Sequence, residues 1–239
     1  MQIGCHSLIF GALPPEHALT EIARANFACA VLAEIQGQAQ HASSLTRVPP
    51  LPIVALDVAT HDPIRIRSGV AHASRLGVGI VVVTPGSLGE RSVPERLAVT
   101  PRAGSAVWNV ESALHLARKG VALWPDTSHL ARAGETLVAA VGSLAPYSAG
   151  WFVRDHDGLG PGPGSFESQV PGRGVLDLNG ALKALHDAGF AGPVIFHAVG
   201  HLPEGRLRPG YPLERIRALA REARGYLSRY STSSADRPT

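Results

Sequence analysis

The amino-acid sequence predicts an α/β fold: a single (β/α)8 barrel with shortened helical connections after strands 2 and 4. Three observations carry the prediction. Short apolar runs of strand length recur along the chain, and amphipathic or capped segments of helical period fall between them. Eight such runs can be marked, the number that closes a barrel. The first run leads out through Gly4-Cys5-His6-Ser7, which is not the G-x-G-x-x-G turn of a doubly wound dinucleotide-binding sheet.

The elements follow in order. Gln2–His6 is strand one, and Pro14-Pro15-Glu16 opens a helix with Leu19, Ile22 and Ala23 on one face. Ala30–Glu34 is strand two and Ile53–Ala59 strand three. His61-Asp62-Pro63 caps a helix that runs through Arg75 and stops at Gly77. Gly79–Thr84 is strand four, the plainest buried strand, and Arg96–Thr100 is strand five. Asn109 caps a helix to Ala117. Val121–Trp124 is strand six, Glu135–Leu144 a helix, and Gly150–Val153 strand seven. Leu178, Leu182, Leu185 and Ala188 line one face of a helix, with Asp177 in its first turn and Gly189 at its end. Gly192-Pro193 launches strand eight, Val194–Phe196. The last helix, Leu213–Leu227, packs on the outside. Residues 1–230 form the barrel domain, and the polar tail 231–239 is expected to be disordered. The stretches 36–50 and 86–95 have room for little or no helix. A flank left bare there would suit a second copy of the chain, as in a homodimer.

Composition narrows the function. Of the 239 residues, 45% are hydrophobic and 5% aromatic, so the core must be Leu, Val, Ala and Ile. The net charge is only +3. Basic residues are scattered apart from Arg215, Arg217, Arg221 and Arg224, with no aromatic-laced basic stripe, which argues against nucleic acid. The two cysteines, Cys5 and Cys29, lack metal-type spacing and fit a reducing compartment. No apolar run approaches a membrane span; the best, Val78–Val83, is only strand-length. The start of the chain has no charged leader before its first strand. A cytoplasmic protein with a small-molecule substrate is expected.

Barrel sites form at the carboxyl ends of the strands. Those positions hold His6, Glu34, Asp57, Thr84, Thr100, Asp126 with His129, Asp155 with His156 and Asp157, and His197 with His201. So many titratable groups on one rim point to a polar pocket. Each also has a plain structural reading. Asp126 could simply cap the turn that follows it. His197 could be a satisfied core histidine. Arg154-Asp155-His156-Asp157-Gly158 could be an ordinary polar loop, and Arg173 an exposed arginine. Phe166, in the long Gly/Pro-rich stretch 158–174, could close over a ligand. Glu34 would need a partner, either substrate or an arginine. Cys5 should point away from His6. No G-x-S-x-G elbow, P-loop or Cys-x-x-Cys occurs.

With these residues identified, the chain resembles the xylose isomerase-like barrel superfamily, the sugar phosphate isomerase/epimerase group. The resemblance spans nearly the whole chain. It is carried by Val121–Glu135 (VALWPDTSHLARAGE), Phe152–Gly158 (FVRDHDG), the closing segment Pro171–Val199, the opening MQIGCHSLIFG, and GVGIVVVTPG. It implies a metal site of Glu, Asp, His and Glu from strands five to eight. Aligned by motif, those positions are Thr100, Asp126, Phe152 and His197, so only Asp126 is unchanged. Two ligands are too few to hold a catalytic divalent ion tightly.

The expected function is therefore an isomerase- or lyase-type enzyme, metal-independent and without cofactor. It would act on a small polyoxygenated or carbonyl-containing molecule by general acid–base chemistry. His197 is the leading proton-transfer group, and His129 a second acid/base or an oxyanion donor. Asp126 orients a neighbouring histidine. His6, Glu34, Phe152, Arg154, Asp155 and His156 are expected to bind substrate. One alternative is a sugar (phosphate) isomerase or epimerase that uses Mn, Mg or Zn at Asp126 and His197, with His156 or His6 completing a rearranged site. The other is a non-catalytic barrel that serves as a ligand-binding or partner subunit.

Overall fold

The computed structural model describes residues 1–34, 45, 48–85, 96–102, 104–158, 165–199 and 211–231. Its strands are β1 (Gln2–His6), β2 (Cys29–Ala33), β3 (Ile53–Asp57), β4 (Val81–Val83), β5 (Leu97–Val99), β6 (Ala122–Leu123), β7 (Trp151–Val153) and β8 (Pro193–Phe196). All pair in parallel, in the spatial order β6-β5-β4-β3-β2-β1-β8-β7. Parallel bridges Leu123–Ser148 and Asp126–Phe152 join the two outer strands and close the sheet into a barrel. The sheet thus has eight strands, the number of apolar runs, although most strands are shorter than those runs.

The helices are α1 (Pro15–Arg24), α2 (Pro63–Arg75), α3 (Val110–Ala117), α4 (Thr127–Arg132), α5 (Leu137–Leu144), α6 (Leu178–Asp187) and α7 (Leu213–Ser228). Local chemistry sets their starts. Asp62 caps α2 by accepting from the Ile64 N–H, and Asn109 caps α3 in a reciprocal box with Ser112. Only α4 falls outside the expected set. It is a six-residue helix capped by Asp126. Residues 232–239 of the expected tail, most of 36–50, all of 86–95, residues 159–164 and His201 lie outside the described residues. None of the helices described is long and apolar enough to cross a membrane.

Strand alternation divides the apolar residues between two cores. Cys29, Val31, Ala55, Val82, Ala98, Trp124, Phe152 and Ile195 fill the barrel. Their neighbours Leu32, Leu56, Val83, Val99, Val153 and Phe196 pack outward against the helical shell. Cys5 faces that shell while His6 faces inward, as alternation requires. The Cys29 thiol is pushed up to about 12 by burial, so it stays protonated at neutral pH.

Two glycines make room for the large interior rings and chains. A Cβ on Gly4 would sit 2.5 Å from both Cys29 Sγ and Ile195 Cδ1, and one on Gly150 would sit 2.4 Å from the Trp124 indole. Gly150→Ala is therefore expected to destabilise the protein by about 1–3 kcal/mol, the cost of overpacking a filled core. Urea denaturation followed by tryptophan fluorescence reads it directly.

Candidate active site at the carboxyl ends of the strands

A cavity of about 200 Å³ opens at the carboxyl end of the barrel. Thr100, Asp126, His129, Phe152, Arg154 and His197 line it, with Asp57 and Thr84 beside them and Arg102 and Arg132 also part of its wall. The three residues expected to do the chemistry therefore share one cavity.

Asp126 is the hub. As cap of α4 its Oδ1 accepts from the Ser128 N–H (2.9 Å), the Ser128 hydroxyl (2.8 Å) and the His129 N–H (3.3 Å). Arg154 Nε lies 3.2 Å from Oδ1 and 3.1 Å from Oδ2. Oδ2 is 3.5 Å from His197 Nδ1, an ion-pair distance without hydrogen-bond alignment. Burial by itself would raise the Asp126 carboxyl. Arg154, His129 and His197 together outweigh it and hold the group well below the usual carboxylate range. Asp126 is thus a structural cap and a site residue at once.

Arg154 is buried and pinned. Its backbone N–H and C=O are both held by the Thr127 hydroxyl. Its Nη1 donates to Gln169 Oε1 at 3.4 Å and its Nη2 to His129 Nε2 at 3.2 Å. A guanidinium can only donate, so His129 Nε2 must accept and its proton must sit on Nδ1. That Nδ1 is buried without a protein partner. His129 is pushed down to about 4, mainly by burial, with Asp126 opposing and Arg154, Arg102 and Arg132 assisting. It is therefore a neutral donor at pH 7, which suits stabilising an oxyanion better than accepting a proton.

His197 follows β8 and faces inward. Its ring is packed 4.6 Å from His6 and 4.8 Å from Phe152, centroid to centroid. It is pushed down to about 4 by burial first and then by His6, against the pull of Asp126. The ionised carboxylate favours the tautomer with the proton on Nδ1. Nε2, buried and unpartnered, then carries the free lone pair.

Four residues expected to bind substrate lie outside the cavity wall. His6 is fully buried beneath it, with Nδ1 accepting from the Leu8 N–H and Nε2 on Asp57 Oδ2 at 3.2 Å. Both of its nitrogens are committed, so it braces the site. Glu34 points outward and pairs with His72 of α2, 3.0 Å away. Asp155 is consumed by backbone: it accepts from His156, Gly172 and Leu176 N–H groups and so ties down the following loop. His156 Nδ1 accepts from the Gly158 N–H. Phe166 is in the outer core against Tyr211 rather than over the cavity, and Arg173 pairs with Glu222. Arg102 and Arg132 also line the cavity, although neither stands at a strand end. Arg132 lies three residues beyond His129, on the same face once α4 is seen as a helix.

Among the described residues, the four-ligand set that the family resemblance implies is not present. The Arg154 guanidinium occupies the carboxylate that a cation would need, and Phe152 stands where a histidine ligand would. Among the described residues, no group of three His, Cys, Asp or Glu could hold a metal ion.

The two neutral histidines make acid stability predictable. Unfolded, each titrates near 6.5; folded, near 4. Between those values the unfolded chain binds more protons than the native one. Their contribution is complete above pH 6.5 and is lost as pH falls toward 4. A Tm that declines steadily over that window is expected. Loss of both His129 and His197 by substitution should flatten the decline.

No protein-family model matches the chain, and no curated protein does. Solved structures do. The IolI protein with a bound zinc atom shares 15% identity at a TM-score of 0.64, with 96% of each chain covered. L-ribulose 3-epimerase shares 14% identity at 0.69, covering 96% of this chain and 94% of its own. The probable 3-DHS dehydratase AsbF of Bacillus anthracis shares 11% at 0.67, covering 92% and 97%. At such identities the likeness establishes the fold, and it is the fold of the xylose isomerase-like barrels.

Proposed function

We propose that the protein is an isomerase or lyase acting on a small, polyoxygenated carbonyl compound by general acid–base catalysis, with the Arg154 guanidinium serving as the fixed cation of the site. One observation carries this reading. An ionised Asp126, a buried arginine and two neutral histidines with unpartnered nitrogens converge on one cavity. That an epimerase and a probable dehydratase share the fold supports it.

The chemistry follows from the protonation states. His197 Nε2 takes the proton from a carbon beside the substrate carbonyl, and Asp126 stabilises the imidazolium formed. The electron pair moves onto the carbonyl oxygen, where the His129 Nδ1–H and the Arg154 charge meet it. Returning the proton to the neighbouring carbon, while a hydroxyl proton passes between the oxygens, gives isomerisation. Delivering it to a β-hydroxyl expels water and gives dehydration.

The test is deuterium wash-in from D2O into a panel of ketoses and hydroxyketo acids, followed by NMR, with protein dialysed against a chelator. Exchange at the carbon next to the carbonyl is expected to persist without added metal. Exchange that appears only on adding a divalent ion would defeat the metal-free reading. No exchange with any panel member would favour a binding barrel.

A further inference from the structure

The substrate class can be narrowed by the cavity wall, granting the acid–base reading above. Arg102 follows β5 and Arg132 ends α4; both line the cavity and both are exposed. Neither guanidinium has an ion-pair or hydrogen-bond partner among the described residues. Arg173, Arg215 and Arg217, on the helical shell, instead each meet a glutamate. The acids of the cavity offer the two arginines no partner. Asp126 is spent on Arg154 and the α4 backbone, and Asp57 on His6 and the Ala59 N–H.

Deeper in the same cavity lie buried groups that also lack partners: the Thr100 hydroxyl, His129 Nδ1 and His197 Nε2. They are neutral donors and acceptors of the kind that hydroxyls and a carbonyl satisfy. The cavity therefore has two chemically distinct parts: an interior in which the Asp126 and Arg154 charges answer each other, and a part where two arginine charges have no counter-ion among the described residues. A guanidinium recognises the planar carboxylate or the phosphate face by paired N–H donors, and two of them attract an anion before it docks.

We infer that the substrate carries a terminal oxyanion, a phosphate or a carboxylate, held by Arg102 and Arg132 while its carbonyl end reaches His197 and His129. A neutral sugar would bring neither guanidinium the counter-charge that the described residues do not provide.

The test uses the whole protein and needs no knowledge of the true substrate. Phenylglyoxal labelling of Arg102 and Arg132 is followed by peptide mass spectrometry with millimolar inorganic phosphate, succinate or D-fructose present. Protection by phosphate alone indicates a phosphorylated substrate, and protection by succinate alone a carboxylate. D-fructose is expected to give none. No protection by either anion, or equal protection by D-fructose, overturns the inference. As a second arm, the Tm rise produced by the protecting anion is expected to need about tenfold more anion in an Arg102→Gln/Arg132→Gln double variant. An unchanged response there also overturns it. His197→Gln separates the two readings: it should keep the protection and lose carbon–deuterium exchange. Protection with exchange that ignores His197 would leave the anion subsite standing and remove the catalytic assignment.

Discussion

His197→Gln is expected to lower carbon–deuterium exchange by about 10²–10⁴-fold, the usual contribution of a positioned general base. Glutamine fills much of the same space but offers no lone pair of comparable basicity at Nε2. The fold should survive, because His197 makes no well-aligned hydrogen bond to lose. The variant should also be more acid-tolerant. It removes a group that is neutral when folded, near 4, and protonates near 6.5 when unfolded. Loss of exchange together with a shallower fall of Tm between pH 6.5 and 4 would tie the effect to this imidazole. The wild-type pH profile follows the same logic: exchange should be flat above about pH 5 and decline toward pH 4 as Nε2 is protonated. Full exchange in the variant would refute the assignment.

Arg154→Met carries the largest expected cost in stability, about 3–5 kcal/mol. It leaves the Asp126 carboxylate, 1% exposed, without its principal counter-charge. It also frees His129 Nε2 and so unfixes the tautomer on which the oxyanion donor depends. The pH dependence of the loss has a definite sign. With Arg154 gone, burial loses its largest opponent and the Asp126 pKa rises, so the ionised carboxyl is penalised more as pH rises. The gap between wild type and variant should therefore narrow as pH falls from 7 toward 5. An Asp126→Asn/Arg154→Met double variant should be more stable than Arg154→Met alone, since it removes the unpaired charge. Urea denaturation of the four proteins in the cycle measures the coupling. A difference under about 0.5 kcal/mol between Arg154→Met and wild type would show that the guanidinium does not hold the site together.

Much of the site was legible from strand position, and more could have been read from strand parity. Trp124 and Phe152 fill the barrel, so Asp126 and Arg154, two residues on, face inward as well. Ile195 places His197 inward by the same count, and Ala98 places Thr100. Glu34 and Asp155 fall on the opposite parity: Leu32 and Val153 before them face the shell. Both acids stand at strand ends, yet neither reaches the cavity. Listing strand ends without counting faces groups inward and outward residues together.

The sequence by itself determined the barrel, because local periods, caps and turn residues act over a few positions and repeat eight times. It also placed Asp126, His129 and His197 at the carboxyl end of that barrel. Only the tertiary structure decided that Arg154 lies on Asp126, 28 residues earlier in the chain, and takes the place a metal would need. Ring closure between β6 and β7 makes that contact, and no local rule specifies it. The protonation states came the same way, since burial and charges gathered from five strands set them together.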